Sequence, residues 1–462
     1  MSRTFSALIL LLPAAAQAAA IDGTQLSLAW VLPFAGMLLS IALLPLFAGK
    51  LWHAHHGKVA AFWAAAFLVP FALSFGLAAT GAELAFVLLQ EYLPFILLLL
   101  ALYTAGGGVL LVGRLVGTPA TNTAILAIGT VLASVMGTTG AAMLLIRPLL
   151  RANAGRERKV HVFVFFIFLV GNIGGSLTPI GDPPLYLGFL AGVSFFWPTT
   201  HLFWPFALCA AALLGAFYLI DRWAWAREGE HARSHQPTAL RLRGTVNIGL
   251  IVLVVLGVLM QGYWHPGTVV VLGETLPIER VLAMGLFILI TLVSLRLTPG
   301  GVRSDNDFGW GAMVEVAKLF AAIFLCMGPV LAMLKAGAAG PAAGLVALTN
   351  DAAGQPIPWV YFWMAGGLSA FLDNAPTYLV FFNLAGGNAA QLMGAGAPVL
   401  MAISCGAVFM GAMTYIGNAP NFMVKAIVEE SGTRMPSFFG YLLWACAFLL
   451  PLFLLITFIF FI

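Results

Sequence analysis

The sequence predicts an all-α polytopic membrane protein built from two inverted repeats, with about ten transmembrane helices, two re-entrant hairpins and two broken helices. Three observations predict it. Hydrophobic residues make up 61% of the 462-residue chain and charged residues 8%. A soluble domain carries about 25% charged residues, so these are too few to coat a water-facing surface. Apolar stretches of roughly 20 residues recur, the length that crosses a bilayer as a helix. Finally, one order of elements, with one polar motif, occurs twice.

The elements follow in order. Residues 1–20 begin with Arg3, continue through the apolar run Phe5–Pro13 and end in small residues. This is the pattern of a cleavable signal peptide, with an uncleaved short first helix as the alternative. The first repeat, 21–220, reads as spans 27–48, 59–80 and 92–113, a re-entrant hairpin 118–151, a broken helix 159–196 and a span 200–220. Pro119, Gly129, Gly137, Gly140 and Pro148 mark the hairpin, whose two arms are each expected to be too short to cross alone. Residues 221–245 are polar and Arg-rich and form a linker. The second repeat, 246–462, reads as spans 246–264, 279–297 and 314–335, a re-entrant hairpin 357–385, a broken helix 397–429 and a final span 436–462.

The duplication is visible in the residues. Gly175-Ser-Leu-Thr178-Pro-Ile180-Gly181-Asp-Pro-Pro184 aligns with Gly411-Ala-Met-Thr414-Tyr-Ile416-Gly417-Asn-Ala-Pro420, identical at five of ten positions at an offset of 236. The same offset lays the hairpin tip Gly137-Thr138-Thr139 on Asp373-Asn374-Ala375.

Positive charge orients the chain. Start the mature chain outside, change side at every span, and let each hairpin return to the face it entered. The loops with Lys50 and Lys58, Arg114, Arg151 to Lys159, Arg222 to Arg243, Arg296 and Arg303, and Lys425 and Arg434 then fall in the cytoplasm. Of the 21 Lys and Arg, only Arg280 and Lys335 fall outside, where Glu83, Glu91, Glu274, Glu279 and Asp351 gather. This is the positive-inside pattern. The first repeat starts outside and the second inside, so the repeats are inverted and the hairpins enter from opposite faces.

Backbone polar groups at membrane depth must be satisfied, so unwound chain persists only against protein or a water-filled cavity. Inverted repeats with broken helices accordingly mark secondary transporters, whose half-helix ends present N–H or C=O groups to a solute. Of the 17 acidic residues only Asp182 and Asp373 fall near mid-membrane. An intramembrane carboxylate is a functional candidate by default. The plainer alternative is a helix cap, and it weighs more on Asp182, because Pro183-Pro184 opens a half-helix behind it. Oxygen and amide groups accompany the two carboxylates: Ser134, Thr138, Thr139, Asn172, Ser176 and Thr178 in the first repeat, and Asn374, Thr377, Thr414, Asn418 and Asn421 in the second. Hard cations take oxygen ligands, which makes Asp182 and Asp373 candidate Na⁺ ligands.

Other features read as structural. Cys209, Cys326, Cys405 and Cys446 lie in apolar segments without metal-site or disulfide spacing. Glu315 and Lys318 are spaced to pair with each other, and His53, His55 and His56 fall in a loop expected to be solvated. No nucleotide-binding loop and no nucleophile–base pair stands out, so the expectation is neither an ATP-driven pump nor an enzyme, with no cofactor and no nucleic-acid partner.

From Gly171-Asn172-Ile173-Gly174-Gly175 through Thr178-Pro179-Ile180-Gly181-Asp182-Pro183-Pro184, and in repeat order over nearly the whole chain, the sequence resembles the ion transporter superfamily. That group includes arsenite permeases, citrate and dicarboxylate carriers, and NhaD-type sodium/proton antiporters. The tip Asp373-Asn374-Ala375-Pro376-Thr377 resembles the antiporter and arsenite branches. The Ser-Asn-Thr tips of the dicarboxylate branch are missing, and Gly137-Thr138-Thr139 departs from both patterns. The resemblance implies a homodimer and an elevator-type motion of the hairpins. The first expectation is therefore sodium/proton exchange across a bacterial-type inner membrane, with Asp373 binding Na⁺ or H⁺ in competition and Asp182 assisting. The alternative is a sodium- or proton-coupled citrate or dicarboxylate carrier. A passive channel or a purely structural membrane protein comes third. Electrostatics favours exchange, because no Lys or Arg is expected at mid-membrane to offset the two carboxylates against a carboxylate substrate.

Overall fold

A computed structural model describes residues 22–229 and 238–462; the signal-peptide expectation and part of the linker lie outside them. The architecture is helical, with two short two-stranded ribbons. Eight principal helices appear in each repeat. The first carries α1 (Leu32–Phe47), α2 (Gly49–Phe86), α3 (Leu93–Gly106), α4 (Pro119–Met136), α5 (Thr138–Ala152), α6 (Val160–Leu169), α7 (Pro183–Leu190) and α8 (Trp197–Trp225). The second carries α9 (Val246–Tyr263), α10 (Ile278–Leu297), α11 (Gly311–Lys335), α12 (Pro358–Phe371), α13 (Asn374–Leu384), α14 (Ala397–Met410), α15 (Ala419–Glu430) and α16 (Phe438–Ile456). In both repeats the fourth and fifth helices form a hairpin, and the sixth and seventh are the halves of one broken helix.

Among the described residues, nine helices are long and apolar enough to cross a membrane. That accords with the expected polytopic helical fold, and individual boundaries differ for physical reasons. The loop expected between 59–80 and 92–113 is helical: α2 runs through a π-helical turn, Val87–Tyr92, into α3, and Ala54–Gly106 is one 53-residue stretch. A bilayer core accommodates only about 20 residues of helix, so this stretch must change direction. It breaks at Gly76, whose φ of 85° and ψ of 163° are not helical. The third expected span stops at Gly106, and its end becomes strand β1, Leu110–Arg114. This strand pairs antiparallel with β2, Thr238–Arg243, inside the expected linker. The first hairpin arm, expected to be too short, is 18 residues long and apolar enough to cross. It turns back at Gly137 all the same. Gly117 N donates to Ala152 O at 2.9 Å and Asn122 Nδ2 to Asn153 Oδ1 at 3.0 Å, so the hairpin leaves where it entered.

Two smaller expectations also fail. The segment with His53, His55 and His56 is helical, and His55 and His56 are half-buried. Glu315 is held by Trp52, whose Nε1 donates to Oε1 at 2.9 Å, and not by Lys318.

Burial divides the helices by role. The residues of α6 from His161 to Leu169 are all buried, so the first broken helix forms the centre of the protein. Exposed Leu, Val, Ile and Phe on α2, α9, α10 and α16 form the apolar outer surface suited to lipid. Connecting segments gather in two groups. In one, Arg147 pairs with Asp307 at 2.6 Å, Arg151 Nη2 donates to Leu111 O at 2.6 Å, and Asn306 Nδ2 donates to Val109 O at 3.1 Å. In the other, Gln90 Nε2 donates to Thr275 O at 2.9 Å and Arg280 Nη1 to Gln90 Oε1 at 2.8 Å.

The first hairpin is anchored by a buried polar cluster. Asp221 Oδ1 lies 2.5 Å from Arg156 Nη2 and 2.8 Å from His161 Nε2, and Asp221 Oδ2 accepts from Asn122 Nδ2 at 2.9 Å. The Arg156 and Asp221 side chains are 1% and 0% exposed. Removing one partner of such a pair costs about 3–5 kcal/mol, because the other charge is left buried.

Candidate functional site

Both breaks are built the same way. Thr178 Oγ1 donates to Ser134 O, and its counterpart Thr414 Oγ1 donates to Ala370 O at 2.5 Å, so each break is bound to its own hairpin. A Cβ on Gly181 would overlap Gly175 O, and one on Gly417 would come within 2.5 Å of Gly411 O. Only glycine allows the chain to double back this closely. The breaks are also tied to each other. Asn172 Nδ2 donates to Asn421 Oδ1 at 2.7 Å, and Asn421 Nδ2 donates to Gly411 O and Thr414 O, both at 2.8 Å. Asn421 therefore satisfies unwound backbone, and Asn172, Thr178 and Thr414 satisfy last-turn carbonyls of α6, α4 and α12, all of which need partners at membrane depth. Ser176 does the same through Ile173 O at 2.8 Å, and Ser134 through Gly174 O at 2.5 Å.

Asp182 sits at the centre of this construction and is 1% exposed. Its Oδ1 accepts from Thr138 Oγ1 at 3.2 Å and Asn418 Nδ2 at 3.1 Å, and its Oδ2 accepts from Asn374 Nδ2 at 2.6 Å. Thr138 and Asn374 are equivalent positions on the two tips, and Asp182 and Asn418 are equivalent positions in the two breaks. The pseudosymmetric elements thus meet at one carboxylate. The capping alternative fails for Asp182. It holds the N-cap position of α7, but its side chain makes no capping bond. Pro184 removes one of the two N–H groups that a capping carboxylate accepts, and the other, Leu185 N, donates to the Asp182 carbonyl at 3.1 Å.

Asp373 takes the opposite role. Its Oδ1 accepts from Ala375 N at 3.0 Å, capping α13, and its carbonyl accepts from Thr377 Oγ1 at 2.9 Å. Of the two candidate carboxylates, Asp182 is the one that gathers side chains from both repeats.

Asn374 has an unmet requirement. With its amide nitrogen on Asp182, its Oδ1 is buried and has no hydrogen-bond partner. A carboxylate neighbour fixes the amide this way round, because the reverse would set oxygen against oxygen. The Asp182 carboxylate, Thr138 Oγ1 and Asn374 Oδ1 make an oxygen set of the type hard cations take. Among the described residues no group of three His, Cys, Asp or Glu comes together as a metal site.

Four helix N-termini converge here, those of α5, α7, α13 and α15, at Gly137, Asp182, Asp373 and Asn418. Each carries roughly half a positive charge. Gly137 has no side chain with which to cap α5. Thr139 and Gly140, in that uncapped turn, line a cavity of about 110 Å³ together with Thr138 and Asp182. One water needs roughly 10–15 Å³, so this space holds several waters or a small solute. The remaining wall includes Leu98, Leu102, Tyr186, Met313 and Met423. Sequence reasoning did not single these out, because apolar residues in a span look alike whether they face a cavity, a neighbour or lipid.

The family model described as "Putative citrate transport" matches residues 23–461. The chain belongs to that family. Membership accords with the ion transporter superfamily and with a multi-pass membrane transporter. The family description names citrate, the substrate class of the alternative expectation and not of the first, sodium/proton exchange. No individually curated protein matches the sequence.

Proposed function

We propose that this protein is a secondary carrier moving a citrate-class carboxylate together with a cation, at the site around Asp182. The observation that carries this reading is the convergence of four helix N-termini on one carboxylate beside a cavity. Two unit charges 4 Å apart interact by about 4 kcal/mol at an effective dielectric of 20, so a bare carboxylate substrate would be repelled by Asp182. The half-charges at the four helix N-termini act against the negative charge of Asp182 and Asp373, although no Lys or Arg enters the centre. A cation on Asp182, Thr138 and Asn374 Oδ1 removes the remaining repulsion and makes the cation a condition of substrate binding. The uncapped turn at Thr139 and Gly140 offers N–H groups to the carboxylate, as helix N-termini do for anions. Membership of a citrate-transport family supports the same substrate class.

Sodium/proton exchange is the second reading. It is favoured by the presence of two carboxylates, Asp182 and Asp373, at the mouths of the half-helices. Labelled citrate uptake into proteoliposomes separates the two. The carrier reading expects saturable uptake that requires Na⁺, a divalent cation or a proton gradient. Absence of citrate uptake under every gradient, together with Na⁺-driven proton movement, would establish the exchanger instead.

A further inference from the structure

A second cavity, of about 270 Å³, lies at the other end of α7 and α13. Leu187, Leu190 and Ala191 line it from the end of α7, and Leu379, Phe382 and Asn383 from α13. The Asp182 cavity opens at the N-terminus of α7, so the two cavities lie at opposite ends of that helix. Between the cavities stand Tyr186 and Tyr378, each 1% exposed, with Tyr378 stacked on Phe382 at 5.9 Å.

The second cavity differs in chemistry from the first. Its wall includes Arg280, Lys335, Glu91, Gln90 and Asn383. Arg280 and Lys335 are the two cations that the charge pattern leaves on the outer face. They come from two successive helices, the start of α10 and the end of α11, and meet at one hollow. Gln90 orients the guanidinium through the 2.8 Å bond from Nη1 to Oε1, and Nη2 reaches Leu190 O at 3.3 Å. We infer that this cavity is an outer capture site for the carboxylate substrate, in which Arg280 and Lys335 hold carboxylate groups before the aromatic layer opens toward Asp182. The inference deepens the carrier reading and rests on it. Two fixed cations at one hollow suit a di- or tricarboxylate, and Arg matches carboxylate geometry with paired N–H donors. Charges of one sign in a low-dielectric cleft raise the local concentration of the opposite ion. When ionised, Glu91 opposes them, so its removal should then strengthen capture.

The sign of the effect is the test. Citrate uptake would be measured in whole cells or right-side-out vesicles for wild type, Arg280→Gln, Lys335→Gln, Glu91→Gln and Arg280→Lys. Dispersity in detergent would verify the fold of each. We expect Arg280→Gln and Lys335→Gln to raise KM for citrate about tenfold with little change in maximal rate, and Glu91→Gln to lower it about threefold. Arg280→Lys, which keeps the charge but loses the paired donors, should fall between wild type and Arg280→Gln. Added choline chloride should raise the wild-type KM more steeply than that of the two neutralised variants. A structural role would instead lower the maximal rate in all the neutral variants alike. That result, or a citrate KM that none of them changes, overturns the capture site while leaving the carrier intact. Wild type that takes up no citrate under any cation gradient removes the carrier reading, and the capture site with it.

Discussion

Asp182→Asn tests the centre of the site most directly, because the structure sets separate costs for fold and function. The carboxylate accepts from Thr138, Asn374 and Asn418 at 2.6–3.2 Å. An amide keeps the shape but turns one acceptor into a donor, which would confront an Asn donor across the gap. Asn374 can resolve this by rotating, because its Oδ1 has no other partner. The stability cost is therefore that of weakened charge-assisted bonds, about 1.5–3 kcal/mol, and not that of buried unpaired donors. Function loses more. A cation about 4 Å from the carboxylate centre is held by about 4 kcal/mol at an effective dielectric of 20, which is about three decades in affinity. The expected result is a protein that inserts and purifies, with a modest loss of thermal stability and cation-dependent citrate uptake reduced at least a hundredfold. Raising the cation concentration should restore part of it. Uptake within threefold of wild type, with unchanged cation dependence, would refute the assignment of Asp182 as the ion ligand.

Three further expectations follow from the same geometry. Asp373→Asn should leave uptake and thermal stability within about twofold of wild type, since Asn caps a helix almost as well as Asp; a loss matching that of Asp182→Asn would return Asp373 to the ion site. Gly181→Ala forces a Cβ onto the Gly175 carbonyl and should cost at least 1–3 kcal/mol of stability and most of the uptake, whereas Gly215→Ala, with open space around it, should be neutral in both assays. Cysteines placed at exposed Ser304 and Ala352 should report opposite sides of intact cells, with an impermeant external thiol reagent labelling Ala352→Cys and sparing Ser304→Cys; labelling of the second would reject the orientation drawn from the charge bias.

The sequence by itself determined the class of molecule, because 8% charge leaves lipid as the solvent and runs of apolar residues set the length of each span. It located the two breaks and the two tips, because glycines and prolines in an apolar segment mark where helical hydrogen bonding stops. It also named the residues that meet there: Asp182, Thr138, Asn374 and Asn418 were candidates before any geometry was known. It could not rank them. Whether a carboxylate caps its own helix or faces three donors from other segments depends on neighbours up to 236 positions away, and this reversed the weight given to Asp373 and Asp182. It also left part of the charge at the centre uncounted. Formal charges can be counted along a chain, and the count showed carboxylates with no cation near them. The partial charges of helix N-termini matter only where the termini converge, and only the tertiary structure brings four of them to one point. For the same reason Arg280 and Lys335 stood as two exceptions to a loop pattern until packing placed them on the wall of one cavity.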